Sequence, residues 1–487
     1  MIDSNTYRAM DALDQAAGLQ AGEFTAEELL TAAIAEAEKH NPALNAIISP
    51  RYEAALNEAK NAQADASFLQ RSPLAGLPFL IKDLSGFAGV AHSNGSQLFA
   101  GYQAETHSAI VQRFVDAGLF VLGKSNTPEF GLTLTTEPQA LGACRNPWNL
   151  NYSTGGSSGG AAAAVAAGII PAAHATDGGG SIRIPASCCG LFGLKPSRGL
   201  TVTESRLAEC WSGMSVGHVV SRSVRDSAAY LDVLALDSPI LFPVPSQPES
   251  FLGDVDTPPP VLRIAVQTSH PLGQELDGDC LRVIEQTAEL CKELGHEVIE
   301  LTSGEQPINY KPAVAAMNRL IALHTWQAVS KRLQQMGLDP VAGLDTAEME
   351  TSTRVMAQSG RHISADDYVG SLDTLVSVAA DMAAFHEQYP VILSPVLNMP
   401  TAELGWLDMN SPDVAEYVGR FRAYSGFTAL YNGTGQPSMS VPLFMDSRGL
   451  PCGSMFSAAW GQDSLLLRLA RQLESARPWP KLAPSSD

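Results

Sequence analysis

GGSSGGAAAAVAAGIIPAAHATDGGGSIRIPASCCGLFGLKPSRG, residues 155–199, sets two serine- and glycine-rich turns around an alanine-rich run, and its reading decides the fold. Each glycine costs conformational entropy on folding, so Gly178, Gly179 and Gly180 directly before Ser181 need a reason. A serine that attacks a carbonyl generates an oxyanion, which N–H donors stabilise from about 2.7–3.1 Å. Lacking Cβ atoms, the three glycines can turn their N–H groups toward one point beside the Ser181 hydroxyl. For GGGS alone a flexible turn is the plain alternative. The second turn weighs against it: Ser157 precedes Ser181 by 24 residues, and the run between them reads as a helix packed so closely that alanine is the side chain admitted.

A serine hydroxyl is too weakly acidic to attack unaided and needs a base. No histidine has a setting that marks it as a triad member, which leaves lysine. Three of the nine lysines end apolar runs: Lys82 in PFLIKDL, Lys124 in FVLGKS and Lys195 in LFGLKPS. Burial favours the neutral amine, and lowering a lysine pKa from about 10.4 to about 7 corresponds to roughly 4–5 kcal/mol, within what desolvation supplies. Spacing does not choose among the three, and each also reads as a structural lysine with a buried stem. No S-x-x-K occurs, so the penicillin-binding type of Ser-Lys pair is absent.

Two motifs match other chemistry by letter only. GLFVLGKS (118–125) satisfies the phosphate-loop pattern, but its middle residues must form an open loop of inward N–H groups, whereas Leu119, Phe120, Val121 and Leu122 read as a buried strand. GSSGG (156–160) satisfies the hydrolase elbow with Ser158 at its centre, yet the polar NLNYST stands where a hydrophobic strand belongs.

The remaining chain bounds the architecture. At 487 residues it suits two or three domains or one large α/β unit. Residues 1–66 read as a helical segment packed on the core, with Thr25 and Glu28 forming a capping box. Short apolar runs between turn residues begin near 74, and the proline-rich stretch 238–260 reads as a surface excursion. LRIAVQ, a helix over roughly 278–294 and HEVIEL form a crossover unit, which implies parallel strands. A helical region (about 311–387) precedes the strands YPVILSPVL, SMSVPLF and GSMFSAAW and a closing amphipathic helix. Strand signals on both sides of the excursion predict one α/β domain over 67–480, its core about 74–225, with a mixed, mainly parallel central sheet covered by helices on both faces.

Net charge −20 argues against nucleic acid, whose phosphates demand clustered Lys and Arg. The longest apolar run contains Pro171 and is too short for the ~20 residues of a membrane span, and no export signal opens the chain. Seven cysteines (Cys144, Cys188, Cys189, Cys210, Cys280, Cys291, Cys452) at irregular spacing read as reduced thiols of a cytoplasmic protein. The histidines and cysteines show no metal-binding spacing, so neither metal nor cofactor is expected.

Residues 155–199, with GLPFLIKDL, LGKSNTPEFG and RNPWNL upstream and GQPSMSVPL downstream, resemble the amidase signature enzymes, loosely over about 25–475. The branch most similar contains 6-aminohexanoate cyclic dimer hydrolases and broad amide hydrolases. The resemblance implies a Ser-cisSer-Lys triad: Ser181 as the acyl-forming nucleophile, Ser157 as the serine with the cis peptide bond, and Lys82 in LIKD as the base. It implies hydrolysis of a small-molecule amide to carboxylate and ammonia or amine, in a chain compatible with a homodimer. A glutamine-dependent amidotransferase subunit, or an esterase or aryl acylamidase, uses the same motifs. Gly178 departs from the family, which often has a larger residue there, and is expected to loosen the turn or open space for a bulkier acyl group. Cys188 is a further departure.

Overall fold

The structure, a computed structural model, describes residues 2–65, 67–204, 211–302 and 308–484; Cys210 lies outside the described residues. The N-terminal part folds as helices Ser4–Ala9, Ala12–Ala21, Ala26–Leu44 and Tyr52–Ala62. Thr25 caps the third helix, its hydroxyl accepting from the Glu28 N–H while the Glu28 carboxylate accepts from the Thr25 N–H. Within this segment Ile47–Pro50 is a strand, β1, which joins β2 (Pro78–Lys82) and β3 (Phe120–Ser125) in the order β1-β3-β2. Leu29, Leu30, Ala33 and Ala37 of the third helix share one apolar cluster with β2, β3 and the alanine run.

β4 (Arg145–Asn146) and β5 (Asn149–Ser153) form a small ribbon before the GGSSGG turn. The helix Gly159–Ala166 follows, every residue buried. Its glycines are demanded by contact: a Cβ on Gly160 would lie 2.3 Å from the Asn126 backbone nitrogen and 2.6 Å from the Ala46 carbonyl oxygen. The helix leads to β6 (Ala172–Asp177), the triple-glycine turn, the helix Arg183–Cys189 and β7 (Phe192–Lys195), and then β8 (Val216–Ser221). β9 (Arg263–Val266), the helix Gly278–Glu293, β10 (Glu297–Glu300), four helices between Tyr310 and Gln388, β11 (Val391–Pro395), β12 (Ser438–Met445), β13 (Pro451–Ala458) and the helix Asp463–Ala476 complete the order needed here.

Eight of these strands make one sheet, β10-β9-β11-β13-β12-β7-β8-β6, so both halves of the chain meet where β12 pairs with β7. The sheet is mixed, but the expectation of a mainly parallel one is corrected. Only β10/β9 and β9/β11 are parallel; the other pairs in the order are antiparallel. The cause is insertion. β6 and β7 run the same way, as their helical crossover requires, and β8 lies between them opposing both. β11 and β12 share a direction too, and the short turn after β12 folds β13 back between them. A crossover unit read from sequence sets the relative direction of its own two strands, not which strand fills the gap.

Residues 120–125 of the phosphate-loop pattern are a fully buried strand. Cys188 and Cys189 are separate buried thiols, as are Cys144, Cys280, Cys291 and Cys452. Among the described residues no helix is long and apolar enough to cross a membrane.

Candidate active site

Lys82 ends β2, whose apolar residues PFLI bury it completely. Its Nζ donates to Ser157 Oγ at 2.8 Å and to Thr176 Oγ1 at 2.9 Å, so a side chain from the small sheet meets the serine turn and β6 of the large one. Its backbone N–H donates to Nδ1 of buried His174 at 3.3 Å. Burial above all, reinforced by the Lys124 charge, pushes the His174 pKa well below its ordinary value. The ring is therefore neutral, and its accepting Nδ1 leaves the proton on Nε2.

In the GGSSGG turn the Gly156–Ser157 peptide bond is cis. A Cβ on Gly156 would lie 2.4 Å from the Thr135 carbonyl oxygen, which shows how hard the turn presses on neighbouring backbone. Ser158, centre of the elbow pattern, is buried and occupied: its hydroxyl donates to the Thr176 carbonyl at 3.2 Å and accepts the Thr176 N–H at 3.3 Å. The Ser158 N–H donates to the Ser181 carbonyl at 3.3 Å and stitches the two serine turns together.

The triple-glycine turn is organised by the charged residues at its ends. The buried Asp177 carboxylate accepts hydrogen bonds from the N–H groups of Gly180 (2.7 Å) and Ile182 (3.1 Å), from Nε and Nη2 of Arg183 (3.0 and 2.9 Å) and from Nδ2 of Asn432 (2.9 Å). Burial alone opposes ionisation of Asp177, but the Arg183 charge and these donors outweigh it and hold the carboxyl well below the usual carboxylate range. Arg183 also donates to the Thr428 carbonyl at 2.8 Å and to Asn432 Oδ1 at 2.7 Å. The Thr428 hydroxyl donates to the Gly179 carbonyl at 2.6 Å.

The three glycines thus differ. The Gly180 N–H is committed to Asp177, whereas Gly178, Gly179 and Ser181 donate theirs to no partner among the described residues. Gly179 and Ser181 are partly exposed, and a Cβ on Gly179 would meet nothing within 4 Å. The expected open space at Gly178 is corrected: a Cβ there would lie 2.7 and 2.8 Å from Cε3 and Cζ3 of Trp211, because the indole fills it.

The other two lysines serve elsewhere. Lys124 pairs with Asp83 at 2.9 Å and donates to the Ser85 carbonyl at 2.6 Å. Lys195 donates to the Pro196 carbonyl at 2.8 Å; burial and then the Arg183 charge push its pKa down to about 7 against the opposing pull of Asp177 and Asp463. Thr176, Asp177, Arg183, Thr428 and Asn432 were not singled out from sequence. Asp177 and Arg183 carried a signal, two charges bracketing an apolar glycine run; Asn432 and Thr428 sit about 250 residues away and carried none.

Residues 28–467 match the family described as Amidase. The chain is 35% identical over 486 residues to a 6-aminohexanoate-cyclic-dimer hydrolase of Pseudomonas sp. (strain NK87), covering 96% of this chain and 95% of that protein. A solved structure of 6-aminohexanoate cyclic dimer hydrolase complexed with substrate superposes with a TM-score of 0.88 at 32% identity, covering 97% of this chain and 98% of that one. A bacterial aryl acylamidase of the amidase signature family superposes with a TM-score of 0.84 at 25% identity, covering 96% of each chain. The chain belongs to the amidase signature family. It is a hydrolase acting on amide C–N bonds.

Proposed function

We propose that the protein hydrolyses a small-molecule carboxamide through an acyl-enzyme on Ser181, with Ser157 and Lys82 as the proton relay. The observation that carries this reading is the 2.8 Å contact of Lys82 Nζ with Ser157 Oγ, made across 75 residues of sequence inside a buried site. A neutral Lys82 accepts the Ser157 proton while Ser157 takes that of Ser181, and Ser181 Oγ bonds to the amide carbon. The N–H groups of Gly178, Gly179 and Ser181 supply donors for the oxyanion. Collapse breaks the C–N bond as the relay returns its proton to the leaving nitrogen. Water then attacks the ester, its proton passes to the relay, and the carboxylic acid departs as Ser181 regains its hydrogen.

The test is intact-mass analysis after a fluorophosphonate probe, followed by turnover of an amide and ester panel. Wild type should gain one adduct that Ser181→Ala lacks, and Lys82→Ala should lose at least about 100-fold in amide turnover, the scale of a missing general base. Full amide turnover by both Ser181→Ala and Lys82→Ala would overturn the assignment. The buried, free cysteines described above fit a reducing compartment, and we place the enzyme in the cytoplasm.

A further inference from the structure

Two aromatic residues adopt left-handed backbone conformations, Phe130 with φ 50° and Trp211 with φ 53°, and Ser212 follows Trp211 with φ 54°. Bulky side chains rarely sit there, because the Cβ then crowds the carbonyl oxygen. Strain of this kind persists where surrounding structure enforces it, and it gathers at functional sites. Both aromatics stand beside the serine turns. Phe130 precedes Gly131, where a Cβ would lie 3.1 Å from Ser157 Oγ, and the Trp211 ring lies against Gly178.

The strained pair 211–212 is tied down from two sides. The Met214 N–H donates to the Trp211 carbonyl at 3.1 Å, and the buried Ser212 hydroxyl hydrogen-bonds His324 Nε2 at 2.9 Å, on the helix Tyr310–Gln335. Gly178 is not left-handed, so its backbone admits any residue and only the indole excludes a side chain. Trp211 remains partly exposed, packed on an apolar cluster that includes Ile184, Met214, Met317 and Leu430, while the space over Gly179 is open.

We propose that Trp211 is a specificity-determining residue whose indole, laid against Gly178, forms the apolar wall along which the acyl chain lies, selecting extended aliphatic acyl groups. A flat, apolar ring beside the open Gly179 offers a methylene chain dispersion and burial and offers a carboxylate nothing in exchange for its water. This rests on Ser181 being the acylated residue.

The experiment measures kcat/KM on p-nitroanilides of linear acyl groups from acetyl to octanoyl. In wild type kcat/KM should climb about fourfold for each methylene that reaches the ring, the equivalent of the transfer free energy of one CH2. Trp211→Ala should flatten that climb, read as the ratio of octanoyl to acetyl kcat/KM within each variant, and Trp211→Phe should keep an intermediate slope. Gly178→Ala should disturb the wild type but add little in the Trp211→Ala background, since the atoms it meets are gone. A uniform loss across all chain lengths in Trp211→Ala and Trp211→Phe, or an unchanged slope, overturns the proposal while leaving the acyl-enzyme reading intact. Absence of a Ser181 adduct and of turnover in wild type itself overturns that reading and this one together.

Discussion

Replacing Arg183 by Met isolates what organises the nucleophile turn. Arg183 and Asp177 are both fully buried, and the substitution removes the Nε and Nη2 donors while leaving Asp177 the backbone N–H groups of Gly180, Ile182 and position 183 and Nδ2 of Asn432. Removing one partner of a buried pair costs about 3–5 kcal/mol, and the surviving donors place this case near about 3 kcal/mol. Unfolding entropy of about 2.1 cal/mol/K per residue amounts to roughly 1 kcal/mol/K over this chain, so the loss reads as only about 3 °C in Tm. Activity should fall much further, about 100-fold or more in kcat, because the turn carrying Ser181 is no longer held to the geometry attack requires.

The pH dependence separates this mechanism from generic damage. In wild type the Asp177 carboxyl lies below its usual range, so its contribution is complete above about pH 4 and fades only in stronger acid. Without Arg183, burial raises the folded-state pKa above the unfolded value, and the folded protein then gains stability as pH falls. The Tm deficit of Arg183→Met should therefore shrink between pH 8 and pH 5, and Asp177→Asn/Arg183→Met should recover part of it at pH 8. Scanning fluorimetry across pH with kcat on one amide is the assay. A pH-independent deficit, or kcat within twofold of wild type, would refute the reasoning.

Gly180→Ala should cost about 1–3 kcal/mol and at least tenfold in kcat, because its φ is 132° and a Cβ would lie 2.5 Å from Thr428 Oγ1 and 2.7 Å from Ile184 Cδ1; Gly179→Ala, facing open space, should leave Tm within about 1 °C, as denaturation curves will show. Burial, with neighbouring Glu129 and Asp408, pushes the Glu350 carboxyl up to about 8 against the opposing Gln139 N–H, so the folded state holds a proton the unfolded state has lost and stability declines as pH rises from about 4 to 8. Glu350→Gln keeps an acceptor for Gln139 and cannot ionise, so its Tm should gain on wild type from pH 5 to pH 9; a constant difference would contradict this.

The local readings that survived rest on short-range physics. The apolar PFLIK run buries Lys82 because an uninterrupted hydrophobic strand has no face to give to water, and Thr25 with Glu28 caps a helix within one turn of chain. GGSSGG and DGGGSIR announced two turns of close backbone approach, because dense glycine has few other uses beside serine. Sequence also marked three lysines as buried without ranking them; the ranking came from the amidase resemblance, and the contact with Ser157 appears only where β2 meets β6.

Sequence by itself determined the long helices, the apolar strands such as those ending in Lys82 and Lys124, the two serine turns and the family, since periodicity, glycine density and motif order are written along the chain; the short strands β1, β4 and β5 carried no such signal. Tertiary structure alone decided that β8 and β13 insert antiparallel between crossover strands, that Asn432 and Thr428 complete the Asp177–Arg183 network, and that Trp211 fills the space at Gly178. These depend on which distant segments share a location, and non-local packing leaves no periodic trace in either partner's sequence.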